Sequence, residues 1–162
     1  MASSLEAFPL VPPEHAPAPP RCLGNRVGFL LARSHLDAMA IAGEALEPGL
    51  HPKHFRALSV IAAEGPLSQQ ELGERMRVDR TTIVALVDEL ERRRFLARRR
   101  NPIDRRAYAL EATAAGRRWL DRTGAALGEA EARILAPLDP DERERLIGLL
   151  HKLVYDRADP VD

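Results

Sequence analysis

The chain is 162 residues long, 45% apolar and 30% charged, with a formal net charge of zero. That length holds one domain, or one domain with a protruding arm, and that composition excludes global disorder. A single cysteine, Cys22, excludes an intrachain disulfide and a cysteine-rich metal framework, and no apolar run nears the ~18 residues of a membrane span.

Residues 1–20 hold six of the thirteen prolines, which removes backbone donors and resists both helix and ladder. Residues 1–21 therefore read as a flexible tail. The tail lacks the basic start and continuous apolar block of a secretory leader, so the expected location is cytoplasmic.

From Leu23 to about Leu46, Leu23, Val27, Leu30, Leu31, Ser34, Ala38, Ile41 and Ala45 recur at helical spacing on more than one side. Such a helix suits burial against a second subunit. Glu47-Pro48-Gly49 ends it. A second helix starts near Pro52, buries Phe55, Leu58, Ile61 and Ala62, and stops at Gly65-Pro66. Ser68 lies three residues before Glu71, the reciprocal capping spacing, and opens a third helix. Asp79 caps a fourth, with Ile83, Leu86, Val87 and Leu90 on its buried face.

The period then changes. Phe95–Arg100 and Ala107–Ala112 read as two short strands around an Asn101-Pro102 turn. Thr113 opens a long fifth helix carrying Trp119, Leu120, Leu127, Ile134 and Leu135. Asp139, Pro140 and Glu142 open a sixth, with Leu146, Ile147, Leu149, Leu150, Leu153 and Val154 expected on a buried face. The terminal helices carry more apolar surface than the small centre can cover, which points to a two-fold dimer.

Zero net charge hides a local field. Between Arg75 and Arg106 lie eleven arginines and only five acids, flanked by mildly acidic segments. A capped helix, a tight turn, a second helix and a basic hairpin in that order form a DNA-reading head, a winged helix-turn-helix. With its apolar face committed to the core, the second helix turns Arg80, Thr81, Thr82, Val84, Ala85 and Asp88 outward. Arginine suits guanine or phosphate, threonine suits phosphate or base edges, and Val84 or Ala85 suits a thymine methyl. Ser68 and Gln70 at the start of the bracing helix suit phosphate. Arg77, Arg98 and Arg106 complete the basic set, and Arg105 is expected in the adjacent minor groove. Asp104 fits the wing only with an internal task, pairing with Arg106 or a nearby arginine.

The series Leu67-Ser68-Gln69-Gln70-Glu71-Leu72, Val78-Asp79-Arg80-Thr81-Thr82-Ile83-Val84, Leu86-Val87-Asp88-Glu89-Leu90-Glu91, Arg98, Asp104-Arg105-Arg106, Thr113 and Gly116 resembles the MarR family of bacterial regulators. The resemblance runs from about Asn25 to Arg157. It implies a mainly α fold of six helices with a winged helix-turn-helix head and one β-hairpin wing. Dimerisation helices then come from residues 22–50 and 114–158, the DNA-binding unit from 51–113, and a short tail from 159–162. It also implies that Arg105 is the minor-groove arginine and that a small ligand binds between the dimer helices and the head. Arg33, His35, His54, Phe55 and Trp119 are the pocket candidates. The chain departs from the family at Arg94, where glycine is usual, at Ala85, where many relatives carry a longer base-reading side chain, and at Ala112, which replaces a usual leucine.

The expected function is a sequence-specific transcription regulator, a repressor that binds a palindromic operator in double-stranded DNA as a homodimer and is released by a small-molecule effector. No cofactor, metal or membrane partner is expected. Two alternatives stand beside it: a winged-helix protein-interaction module without DNA binding, and a redox or metal-responsive regulator using Cys22 or the His51/His54 pair. Enzyme chemistry is not expected, since no nucleophile elbow, phosphate loop, dinucleotide fingerprint or dense acid cluster occurs.

Overall fold

Side-chain caps mark the start of five of the six helices among the described residues. The computed structural model describes residues 20, 22–100 and 108–156. In chain order these form α1 (Val27–Glu44), α2 (Pro52–Glu64), α3 (Gln69–Met76), α4 (Arg80–Arg92), β1 (Leu96–Arg100), β2 (Tyr108–Ala112), α5 (Ala114–Ile134) and α6 (Pro140–Tyr155). At α3 the Ser68 hydroxyl accepts the Glu71 amide at 3.2 Å, and the Glu71 carboxylate accepts the Ser68 amide at 2.7 Å. Asp79 accepts the Thr82 amide at 3.0 Å and Thr113 accepts the Gly116 amide at 3.0 Å. Asp139 and Glu142 repeat the reciprocal box at α6. Each cap satisfies amides that a helix start leaves open.

Both helices of the reading pair end on a left-handed arginine. Arg77 has φ 51 and Arg94 has φ 60. The following residues close the turn, with Val78 N–H reaching the Gly73 carbonyl at 3.1 Å and Phe95 N–H reaching the Leu90 carbonyl at 2.9 Å. These are the 6→1 bonds of a Schellman end, in which glycine is preferred because its missing Cβ avoids a clash of about 1 kcal/mol. The departure from the family at Arg94 thus falls on a backbone that favours glycine, and Arg77 repeats the same arrangement one helix earlier.

The head closes on itself. Leu58 and Ile61 from α2, Leu72 from α3, Ile83, Val87 and Leu90 from α4, Leu96 and Leu110 from the hairpin, and Trp119 from α5 are all buried in one cluster. Strands β1 and β2 pair antiparallel from Leu96↔Ala112 to Arg100↔Tyr108, and Leu67 adds a bridge to Leu110. The Trp119 ring stacks on Phe95 with centroids 5.0 Å apart and meets Phe55 edge-on at 6.1 Å. Gly116 lets α5 start there, because a Cβ at that position would overlap the Phe95 carbonyl.

The terminal helices are different. Within one chain α1 buries only Ile41 and leaves Val27, Leu30, Leu31 and Leu36 exposed. Helix α6 has no buried residue. Leu146 and Leu150 are half-buried, while Ile147, Leu149, Leu153 and Val154 are exposed. The buried face expected of α6 is therefore not formed inside the chain, because α6 makes no extensive contact with another described element. Helix α1 does lie along α5, joined by an Arg133–Glu44 ion pair at 3.1 Å. Among the described residues no helix is long and apolar enough to cross a membrane.

Candidate nucleic-acid interface

Helix α4 presents one apolar and one polar edge. Ile83, Leu86, Val87 and Leu90 are buried, so 3.6-residue periodicity turns Arg80, Thr81, Ala85 and Asp88 to the surface, with Thr82 and Val84 half-buried. Thr82 is engaged locally. Its hydroxyl donates to the second Asp79 oxygen at 2.6 Å, which with the amide bond holds the Asp79 carboxyl below the usual carboxylate range. Thr81 and Ala85 carry no such task.

Between α3 and α4 lies a hollow of about 570 Å³ lined by Gln69, Gln70, Gly73, Glu74, Arg77, Val78, Arg80 and Ile83. Arg77 and Arg80 flank it from the two helices. A second hollow of about 290 Å³ opens between the start of α3 and the wing, lined by Ser68, Gln69, Gln70, Arg98, Tyr108 and Leu110. Gln70 reaches Glu74 at 3.1 Å, and Ser68 keeps its hydroxyl hydrogen because that oxygen accepts in the cap. The exposed phenol of Tyr108 was not among the expected contacts, since its sequence signal is only that of a strand residue.

Pairing sorts the arginines. Arg75 is bonded to Glu64, Arg92 and Arg93 share Glu89 at 2.6 and 2.7 Å, and Arg99 meets Glu111 at 2.7 Å. Glu89, held by two guanidiniums, has its pKa lowered to about 2. Arg98 places one terminal nitrogen on Asp88 and the other on Glu91, both at 2.5 Å. It binds β1 to the reading helix, so its two terminal nitrogens already serve an internal contact. Among the described residues Arg77, Arg80 and Arg94 have no carboxylate within salt-bridge distance. Two of these three border the α3–α4 hollow. Asp104, Arg105 and Arg106 lie outside the described residues.

Of the five pocket candidates the chain brings Phe55 and Trp119 into edge-on contact. Arg33 pairs with Asp37 at 3.4 Å on α1, and His35 is exposed. His54 is occupied at the start of α2. Trp119 is core, although its indole N–H is buried without a hydrogen-bond partner among the described residues. Phe55 lines a cavity of about 320 Å³ between α2 and α3, shared with Arg56, Ser59, Val60, Arg75 and Met76. Those partners have no motif spacing that would reveal them, because α2 and α3 meet only in the fold.

His51 and His54 form a capping pair. His54 Nδ1 accepts the His51 amide at 2.9 Å, and His51 Nδ1 accepts the Lys53 amide at 3.2 Å. The same His54 Nδ1 also lies 3.3 Å from the His51 carbonyl. Burial lowers both pKa values, with the neighbouring cation Lys53 adding to the shift at His51. Among the described residues no group of three His, Cys, Asp or Glu side chains could hold a metal ion. Cys22 is exposed and unpaired.

A capped helix pair with an outward polar edge, braced by a β-hairpin and carried between long helices, defines a winged helix-turn-helix protein. The family model described as MarR family matches residues 49–107, from the α1–α2 connection past β1. A regulatory protein for the hcr operon of Thauera aromatica is 35% identical over 133 residues, spanning 81% of this chain and 80% of that protein. A Pseudomonas aeruginosa protein described as a probable transcriptional regulator superposes with a TM-score of 0.76 at 32% identity, covering 82% of this chain and 99% of that one. The Streptomyces coelicolor regulator PcaV, solved in complex with its natural ligand, superposes with a TM-score of 0.73 at 28% identity, covering 89% and 100%. The chain belongs to the MarR family of transcriptional regulators.

Proposed function

We propose that the protein is a homodimeric repressor that grips a palindromic operator and lets go when a small carboxylated ligand enters the α2–α3 cavity. The observation that carries the DNA reading is the sorting of charge. Five arginines of the described head, Arg75, Arg92, Arg93, Arg98 and Arg99, are paired with carboxylates, whereas Arg77 and Arg80 border the hollow beside the polar edge of α4. In this reading α4 enters the major groove, Arg80 and Thr81 meet base edges or phosphate, and Ala85 meets a thymine methyl. Arg105 and Arg106 extend the contact into the minor groove.

Dimerisation is supported by the exposed apolar rows on α1 and α6, Val27, Leu30 and Leu31 with Leu149, Leu153 and Val154. The effector reading is supported by the cavity, where Arg56 and Arg75 offer a carboxylate two cations and Phe55, Val60 and Met76 offer an apolar wall. Arg75 already joins α3 to Glu64 of α2, so a ligand competing for it acts on the bracing helix. The ligand seen in PcaV is a precedent for a bound effector.

The test is selection of binding sites from random duplex DNA, followed by gel shift. A two-fold symmetric site is expected, and Arg80→Ala should relax base preference at one position per half-site while leaving the dimer intact. No enriched sequence, with salt-insensitive or absent binding, would contradict the DNA reading. For the effector, titrated aromatic acids should change Trp119 fluorescence and release the operator together.

A further inference from the structure

The connection between α1 and α2 and the far end of the reading helix are joined through one side chain. Arg93 follows the last residue of α4, and its guanidinium uses three directions at once. Its Nε donates to Glu89 at 2.7 Å, one turn back on the same helix. Its Nη2 donates to the Pro48 carbonyl at 2.5 Å, and its Nη1 donates to Glu47 at 3.3 Å. Gly49 completes the seat, because it has φ +81 and a Cβ there would stand 3.0 Å from Arg93 Nη2. Among the described hydrogen bonds, those of Arg93 are the only ones that tie residues 45–50 to α4. The side chain is mostly enclosed, at 20% exposure, and Arg93 is not among the residues that line the Arg77–Arg80 hollow.

We infer that Arg93 is a positioning residue that sets the tilt of the reading helix against the dimerisation frame, and so fixes the half-site separation the dimer accepts. The inference rests on the DNA-binding reading above. The physical reason is leverage. Helix α4 runs roughly 20 Å from Arg80 to Arg92 at 1.5 Å per residue, so a small rotation at its C-terminal anchor displaces the base-reading end. Leu46 and Leu50 pack against the core from the same connection but do so without direction. A planar guanidinium held by a carbonyl and two carboxylates supplies the direction. The frame side of the link is α1, whose exposed apolar row is the surface proposed to meet the second copy. Two copies of Arg93 would thereby hold two reading helices at one separation, and half-sites about one helical turn apart demand such a separation.

The experiment compares the full-length protein with Arg93→Ala, Arg93→Lys and Glu47→Gln on selected operators whose half-site separation is kept, lengthened or shortened by one base pair. Thermal melting and sedimentation run alongside. Arg93→Ala should weaken binding to the selected operator about tenfold, the scale of a lost charge-assisted bond network. It should accept all three separations nearly equally and leave low-salt binding to random DNA within about twofold, since random duplex imposes no separation. Arg93→Lys should fall between, because an ammonium meets the acids but cannot reproduce the planar contact to Pro48. Glu47→Gln leaves Arg93 in place, keeps the fold if Arg93→Ala does not, and should broaden the accepted separations more weakly.

Unchanged preference for the native separation in Arg93→Ala, or in Glu47→Gln where the alanine variant does not fold, would overturn the positioning role. Equal loss on operator and random DNA would overturn it too, by making Arg93 a plain phosphate contact. Failure of the unaltered protein to select any operator is a different result, and it removes the DNA-binding reading itself.

Discussion

The head and the terminal helices solve the burial problem in opposite ways. Between α2 and the start of α5, every element contributes to one closed cluster around Leu58, Leu90 and Trp119. Helices α1 and α6 instead keep leucine and valine rows open to solvent. The head thus buries its apolar side chains on its own contacts, while α1 and α6 leave theirs uncovered within one chain. The difference predicts which damage is local and which is shared between copies.

The largest effect should come from breaking the closed region. Trp119→Ala removes a fully buried ring stacked on Phe95, and denaturant unfolding should show a loss of about 3–5 kcal/mol at any protein concentration. Next comes the open region. Leu149→Asp with Leu153→Asp places charge on the exposed α6 row, and sedimentation should show monomer while circular dichroism keeps its helical signal. Operator affinity should then fall about 100-fold, since the second half-site no longer benefits from linkage.

Smaller changes sharpen the contrast from within the head. Arg94→Gly relieves a left-handed arginine (φ 60) and should raise stability by about 1 kcal/mol. That corresponds to about 2–4 °C in melting temperature. The least change concerns the His51/His54 cap. Both imidazoles have pKa values below the ordinary 6.5, so the folded state binds their protons less readily than the unfolded chain. Their contribution is complete above pH 6.5 and is lost as pH falls below it toward the lowered values. Melting temperature should therefore decline on mild acidification. A His51→Ser, His54→Glu variant, which restores an ordinary box, should decline less.

Local chemistry made most of the fold readable from the sequence. Ser68 with Glu71, Asp79, Thr113, and Asp139 with Glu142 each act within three residues, so spacing alone predicts the helix starts that the structure contains. Periodicity likewise gave the exposure of Arg80, Thr81, Ala85 and Asp88 on α4, while Thr82 and Val84 are half-buried. What spacing cannot carry is partnership across the fold. The excess of arginine was visible, but which arginines are spent was not, because Arg75 meets Glu64, Arg99 meets Glu111 and Arg93 meets Glu47 only after folding. Likewise Trp119 and His54, expected in a pocket, serve the core and a helix start. Their histidine cap has no usual signature, since imidazole rarely takes that position.

The salt dependence of operator binding tests the charge sorting most directly. Removing Arg77 and Arg80 together should flatten the slope of log affinity against log salt by about 3–4 for the proposed dimer, which would lose four cations from its proposed DNA surface. Removing Arg92 and Arg99, which carboxylates already hold, should leave that slope nearly unchanged. An equal flattening from both pairs would mean that the head acts as an undifferentiated basic surface and that its internal ion pairs choose nothing.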